Sequence, residues 1–159
     1  MQKLTLLCVG RLKEPFYRDA AAEYVKRLSR YCKLDVIEIP EARLPENPSA
    51  AQVQAALEKE AASVFKKLPP GAFAIALCIE GELYSSEKLS GLLADLSARG
   101  MSPAFVIGGS YGLHSSVKDA AALRLSMSPM TFPHHLARVM LLEQLYRACQ
   151  INAGGRYHK

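Results

Sequence analysis

Two segments of the chain have residue types that could bind a ligand. The first is Gly-Gly-Ser-Tyr-Gly at residues 108–112, directly after the apolar residues 104–107. Paired glycines allow a backbone to approach a ligand closely or to adopt a positive φ. A turn between a strand and a helix also needs glycine, so a purely structural role is an equal alternative. The segment does not match the Gly-x-Gly-x-x-Gly pattern of dinucleotide-binding folds, and the chain has no Gly-Lys-Ser/Thr phosphate loop.

The second segment is Met-Ser-Pro-Met-Thr-Phe-Pro at residues 127–133. Two methionines, a phenylalanine and two prolines make a stiff, apolar loop. Such a loop could wall a flat pocket for an aromatic ring, with backbone groups that bond to the ring edge. The alternative is a loop buried by ordinary packing.

The last four residues, Arg-Tyr-His-Lys at 156–159, combine a phenol ring, an imidazole and two cations. This composition suits stacking on a base and pairing with phosphate. Chain termini are usually loosely ordered, so a frayed tail is the default expectation.

Metal-dependent and acyl-enzyme chemistry are poor matches to the sequence. His134 and His135 are adjacent, His114 and His158 are isolated, and no His-Glu-x-x-His occurs. The four cysteines form no Cys-x-x-Cys pair, and there is no Gly-x-Ser-x-Gly nucleophile elbow. We therefore expect no metal.

Length and composition predict one globular domain over residues 1–159. The chain has a mass of 17.4 kDa, half of its residues are hydrophobic and 22% are charged. The longest apolar run, residues 72–79, is far shorter than the about 20 residues that span a membrane. No signal peptide is recognisable at the start. We therefore expect a soluble protein of the cytoplasm without a membrane partner.

Charge is unevenly distributed around the net value of +5. Residues 1–33 and 114–159 carry net charges of +5 and +4, whereas residues 34–113 carry −4. Two basic ends around an acidic middle indicate a polyanionic partner. Chance clustering on solvated faces explains the same numbers equally well.

Strands and helices alternate in the apolar pattern. Strands are predicted at residues 3–9, 34–39, 72–79, 104–107 and 123–127, with the third covered on both faces, and helices at 15–30, 49–68, 86–99, 117–122 and 134–150. This order predicts an α/β fold with a mostly parallel sheet and helices on both faces. Ligands in such sheets bind beyond the carboxyl ends of strands. Residues 79–81, 108–109 and 127–133 are therefore the candidate site.

The last helix is apolar almost all round, with Val139, Met140, Leu141 and Leu142 in succession. A helix that covers one sheet needs only one apolar stripe. We therefore predict a homodimer interface on this helix, with a fully buried central helix as the alternative.

Seven segments, in order, resemble one known family. They are Leu-Leu-Cys-Val-Gly-Arg-Leu-Lys-Glu at 6–14, Glu-Tyr-Val-Lys-Arg-Leu at 23–28, Ile-Glu-Ile-Pro at 37–40, Leu-Cys-Ile-Glu-Gly at 77–81, Phe-Val-Ile-Gly-Gly-Ser-Tyr-Gly-Leu at 105–113, Leu-Ser-Met-Ser-Pro-Met-Thr-Phe-Pro-His at 125–134, and the terminal Tyr-His-Lys. Over its whole length the chain resembles the RlmH (YbeA) family of SPOUT-class methyltransferases.

The resemblance implies a SPOUT fold with a C-terminal trefoil knot, which periodicity alone cannot indicate, and an obligate homodimer. It implies transfer of a methyl group from S-adenosylmethionine to N3 of a pseudouridine in 23S rRNA of assembled ribosomes. The cofactor-binding positions carried over by motif are Leu77, Gly108, Met127, Ser128, Pro129, Met130, Thr131 and Phe132. No metal is implied.

The resemblance also directs attention to the tail, which in the family is thought to close over the active site. Tyr157 and His158 become candidate catalytic residues, and Lys159 and Arg138 become candidate RNA contacts. Two other functions remain open: a SPOUT methyltransferase with another RNA target, and a non-catalytic ribosome-binding factor. A nicotinamide oxidoreductase is the least compatible, because its glycine pattern is missing.

Overall fold

A five-stranded parallel sheet forms the centre of the fold. The computed structural model describes residues 1–159. Its strands are β1 (Gln2–Val9), β2 (Cys32–Ile39), β3 (Phe73–Leu83), β4 (Pro103–Ile107) and β5 (Leu123–Ser126), and its helices are α1 (Pro15–Leu28), α2 (Ala50–Lys67), α3 (Ser86–Ala98), α4 (Ser115–Ala120) and α5 (His134–Asn152). The strand order is β2-β1-β4-β3-β5. The predicted α/β class and parallel sheet are confirmed; the trefoil knot stays a prediction.

Local sequence explains where the helices begin. Pro15 occupies the first turn of α1, where its missing N–H costs nothing. Ser49 and Gln52 form a reciprocal capping box at α2. The Ser85 hydroxyl accepts from the Lys88 N–H at 3.0 Å and caps α3.

Helices cover both faces of the sheet, because apolar side chains of β1 point alternately to one face and the other. Leu4, Leu6 and Cys8 point to the face that α1, α3 and α5 cover, whereas Leu7 and Val9 point to the face that α2 and α4 cover. Successive side chains of a strand alternate between faces, so each helix layer has its own core.

Strand β3 departs from the prediction at its carboxyl end. Leu77 and Glu82 both pair with Leu125 of β5, so residues 78–81 form an irregularity in the strand. Gly81 permits this close approach, because a Cβ there would lie 2.8 Å from the Arg124 carbonyl. The expectation that residues 72–79 are covered on both faces is wrong at the end of the run, where Ile79 is 48% exposed. Residues 78–81 therefore lie between two stretches of β3 that both pair with β5.

Helix α5 packs against α1 and α3. None of its residues from 134 to 151 is exposed in the isolated chain. No helix in the structure is both long and apolar enough to cross a membrane.

Candidate functional site

The carboxyl ends of β3, β4 and β5 open onto one cavity of about 780 Å³, within the range of small-molecule sites. Seven of the eight predicted cofactor-binding residues line this cavity: Leu77, Gly108, Met127, Ser128, Met130, Thr131 and Phe132. Pro129 is the exception. Parallel strands bring segments that are 50 residues apart in the chain to one edge of the sheet.

The glycine turn is built by close contact between its own backbone segments. A Cβ at Gly108 would lie 2.3 Å from the Gly112 carbonyl oxygen, and Gly112 itself has a φ of +77°. The Gly112 N–H donates to the Gly109 carbonyl at 3.0 Å. Gly108 is therefore required by the turn, and the same turn forms one wall of the cavity.

The opposite wall is the loop at residues 127–133. The Ser126 hydroxyl donates to the Ser128 carbonyl at 3.0 Å, and the Ser128 hydroxyl accepts from the Met130 N–H at 3.0 Å. These bonds hold the loop open, and Met130 is 73% exposed. The alternative of a loop buried by ordinary packing does not describe Met130, although Phe132 is half-buried.

One ion pair lies at the mouth of the cavity. The Lys118 ammonium contacts the Glu80 carboxylate at 2.6 Å, and both residues line the cavity. The hydrogen bond from Lys118 lowers the pKa of Glu80, with help from backbone hydrogen bonding. Glu80 therefore stays ionised at neutral pH.

His134 lines the cavity, although the spacing of the histidines in the sequence bears only on metal ligation and does not indicate this position. It begins α5. Burial lowers the pKa of His134, and the neighbouring His135 lowers it further. The imidazole is therefore neutral at neutral pH. An apolar loop ending in Pro-His was the only signal that could have indicated it.

Arg138 is bonded within the fold of one chain. Its side chain is 5% exposed, and its guanidinium donates to the Glu38 carboxylate at 2.8 Å and to the Gly10 carbonyl at 2.9 Å. The RNA contact predicted for Arg138 stays a prediction, and these two bonds would have to open before the guanidinium could reach RNA.

The tail is docked on α3 and α5. The Tyr157 hydroxyl donates to Glu143 at 3.2 Å, and its ring meets the Tyr146 ring edge-on at 4.8 Å. His158 bonds through Nε2 to Glu87 at 2.7 Å and through Nδ1 to Arg147 at 3.2 Å. Burial is the largest cause that raises the pKa of Tyr157 to about 12.

The docked tail does not reach the cavity, since none of residues 156–159 lines it. Lys159 is exposed. The structure therefore brings the predicted cofactor residues together but leaves Tyr157 and His158 outside that group. The default expectation of a frayed tail is also not met, because the side chains of both residues are bonded.

Beside the tail's contact residue Glu143 runs a groove of about 540 Å³, termed here the apolar groove. Apolar side chains of α5 and the segment before α3 dominate its lining, among them Tyr84, Val139 and Met140. Met127 lines both the apolar groove and the cavity. The two depressions therefore share a wall.

A parallel α/β sheet whose strand ends carry a glycine turn and a methionine-rich loop around one cavity defines the SPOUT class of methyltransferase. The family profile described as predicted SPOUT methyltransferase matches residues 2–158, and the chain belongs to this family.

Relatives are similar over nearly the full length. Proteins named "Ribosomal RNA large subunit methyltransferase H" from Streptococcus equi subsp. zooepidemicus and Pelotomaculum thermopropionicum are each 48% identical, with 99% of both chains covered. A similar protein of the same name from Bifidobacterium adolescentis is also 48% identical over 99% of each chain.

A solved structure of a probable methyltransferase from Bordetella pertussis Tohama I shares the fold. Its TM-score is 0.59 at 18% identity, with 93% of this chain and 96% of that chain covered. At this identity the likeness concerns the fold alone.

Proposed function

We propose that the single domain of residues 1–159 transfers a methyl group from S-adenosylmethionine to N3 of a pseudouridine in 23S rRNA of the assembled ribosome, in the cytoplasm. The observation that carries the proposal is the cavity at the carboxyl ends of β3, β4 and β5. The relatives' name supports a large-subunit rRNA substrate. The pseudouridine and its N3 atom rest on the family resemblance.

The cavity suits a methyl donor with an adenine ring and a charged sulfonium. Leu77 and Phe132 offer apolar surface for a ring, and the backbones of Gly108 and residues 127–132 offer groups for its edge. The Glu80 carboxylate at the rim is paired with Lys118, so this pair adds no net charge to the cavity. Bound there, the donor supplies an electrophilic methyl group. No group of three His, Cys, Asp or Glu side chains is arranged to hold a metal.

This chain's residues must orient the base and accept the proton that leaves N3. We assign Tyr157 and His158 to this step and Lys159 to a phosphate of the RNA. With its pKa raised to about 12, Tyr157 in the docked tail keeps its proton at neutral pH, so it acts as a hydrogen-bond donor. Both ring nitrogens of His158 form hydrogen bonds in the docked tail. His158 must therefore leave Glu87 and Arg147 before it can accept a proton.

We propose a homodimer as the working form. Residues 134–151 have no exposed member, yet many of their side chains are only half-buried in one chain. The apolar groove along Val139 and Met140 is the surface that a second copy would cover.

Isothermal titration calorimetry with S-adenosylmethionine, and with NADH as the control ligand, tests the proposal first. We expect binding of the methyl donor alone. We then expect methyl transfer to ribosomes that lack the modification, with mass spectrometry locating the methyl group on N3 of a pseudouridine. Ribosome binding without donor binding would instead identify a non-catalytic factor, and a methyl group on another RNA would overturn the substrate assignment.

Gly108→Ala supplies the matched test of the cavity. Its Cβ would collide with the Gly112 carbonyl, so the turn must shift. We expect the variant to lose donor binding at least tenfold and to lose about 1–3 kcal/mol of stability from overpacking. Gly91→Ala is the control, because a Cβ on this α3 residue meets nothing within 4 Å. Equal donor affinity in the two variants would contradict the site.

A further inference from the structure

Three cations near the cavity have no acidic partner. Arg11 and Lys13 lie in the loop between β1 and α1, and Arg18 lies in the first turns of α1. All three are exposed, and none forms a salt bridge. The nearby Glu14 points toward His135, with a carboxylate oxygen 3.7 Å from Nδ1. These cations are therefore free to pair with an external anion.

An exposed aromatic ring is close to these cations in the sequence. Phe16 is 65% exposed on α1, whereas the adjacent Tyr17 packs against the core. A phenyl ring left in water forgoes the free energy that burial would give it. Phe16 is therefore a surface feature that its own chain does not use for packing.

A row of rings connects Phe16 to the cavity. The Phe16 and Tyr17 centroids are 4.4 Å apart, Tyr17 and His135 are 6.0 Å apart, and His135 and His134 are 4.0 Å apart. His134 lines the cavity. The row therefore begins at an exposed ring and ends at the cavity.

Arg138 holds the cationic loop at this edge. Its guanidinium on α5 binds the Gly10 carbonyl, directly before Arg11. Gly10 also has a φ of +87°, which turns the chain out of β1. Because β1 neighbours β4, the loop emerges at the same edge of the sheet as the glycine turn. We name Arg11, Lys13, Phe16 and Arg18 together the docking surface.

We infer that the docking surface binds the nucleotides that flank the target base. One unstacked base lies on the Phe16 ring, and Arg11, Lys13 and Arg18 pair with backbone phosphates. Alternation of a stacking ring with unpaired cations is the pattern by which proteins hold single-stranded RNA. The inference rests on the proposed function, because it takes the RNA substrate from it.

The test measures binding of purified assembled ribosomes lacking the modification, over a range of salt concentrations. Phe16→Leu is expected to weaken binding about tenfold with an unchanged salt dependence, because it removes stacking and keeps an apolar side chain. The double variant Arg11→Gln/Lys13→Gln is expected to reduce the slope of log affinity against log salt by about two, because two phosphate contacts are lost.

Helix α2 offers matched controls on the other face of the sheet. Phe65 is 43% exposed there, and Lys66 and Lys67 follow it. Phe65→Leu and the double variant Lys66→Gln/Lys67→Gln are expected to bind assembled ribosomes as the unchanged chain does. If the α1 and α2 variants lost equal ribosome affinity, binding would reflect unspecific charge attraction, and the docking surface would be overturned. The docking surface would also be overturned if binding to anionic phospholipid vesicles depended on Phe16 and ribosome binding did not.

Two further readouts separate this inference from the proposed function. Donor affinity by calorimetry is expected to be the same in Phe16→Leu and the unchanged chain. If the unchanged chain binds assembled ribosomes through Phe16 but transfers no methyl group, the proposed function fails and the docking surface stands. If Phe16→Leu binds and methylates normally, the docking surface fails and the function stands.

Discussion

At the scale of the residue, the protonation state of His134 bears directly on donor binding. Burial and the neighbouring His135 lower its pKa, as does Arg138, while Glu41 and Glu14 act in the opposite direction. The lowering effects prevail, so the ring is neutral near pH 7. A neutral imidazole is compatible with a sulfonium in the same cavity, whereas a protonated one would repel it.

Binding of the proposed donor is therefore expected to weaken on acidification. The loss should develop below pH 6.5, the ordinary pKa of the group, because the pKa in the protein lies lower still. Calorimetry of S-adenosylmethionine binding between about pH 7.5 and about pH 5.5 measures it. We expect His134→Gln to flatten the profile, since glutamine cannot be protonated there. An unchanged profile in His134→Gln would assign the effect to another group.

Single residues also show how far sequence reasoning reaches. The glycine turn and the methionine-rich loop were predictable because each is a local segment with unusual composition. The buried ion pair of Arg138 was not predictable, because its partner Glu38 lies 100 positions away in the chain. A cation on an exposed face and a cation in a buried pair look identical until the fold brings their neighbours together.

At the scale of the element, Arg138 joins α5 to the carboxyl ends of two strands. It binds Glu38 of β2 and the Gly10 carbonyl that follows β1. Hydrogen bonds to a charged donor contribute more than neutral ones. The half-exposed Glu38 carboxylate can regain water when the partner is removed, which limits the cost.

We therefore predict that Arg138→Met lowers the free energy of unfolding by about 1–3 kcal/mol. Urea denaturation measures the change. Arg99→Met is the control, because the Arg99–Asp95 pair is exposed and such pairs contribute about 0–1 kcal/mol. If Arg138→Met unfolded like the Arg99 control and instead reduced the salt dependence of ribosome binding, Arg138 would be an RNA contact after all.

The positions of the strands and helices could be predicted closely, since each is a periodic segment bounded by proline, glycine or a capping residue. Strand β3 was harder. Its apolar run continues through Ile79, and Gly81 is the one local sign of the irregularity at residues 78–81. That feature depends on the pairing of β3 with β5, which a pattern within one segment does not contain.

At the scale of the whole molecule, the tail and the cavity are separated in one chain. Tyr157 and His158 contact Glu143 and Glu87, beside the apolar groove. A second copy that covers the groove would bring its own cavity wall to this region, because Met127 lines both depressions. In the proposed homodimer we therefore expect the tail to serve the partner's cavity.

Mixing two inactive variants tests this arrangement. One is Gly108→Ala, with a distorted cavity and an intact tail, and the other lacks residues 156–159. After joint unfolding and refolding, we expect about a quarter of the full methyl transfer activity, because half of the dimers have one intact pair of cavity and tail. Each variant refolded alone is the control and should be inactive. No recovery in the mixture would show that the tail serves its own chain.

Helix α5 also affects how the protein is made. It follows every strand in the chain, yet it completes the cover over Leu4, Leu6 and Phe105. Until α5 has been synthesised, only α1 and α3 can cover this face of the sheet. We therefore expect the nascent chain to pass through a stage with exposed apolar surface, to which chaperones can bind.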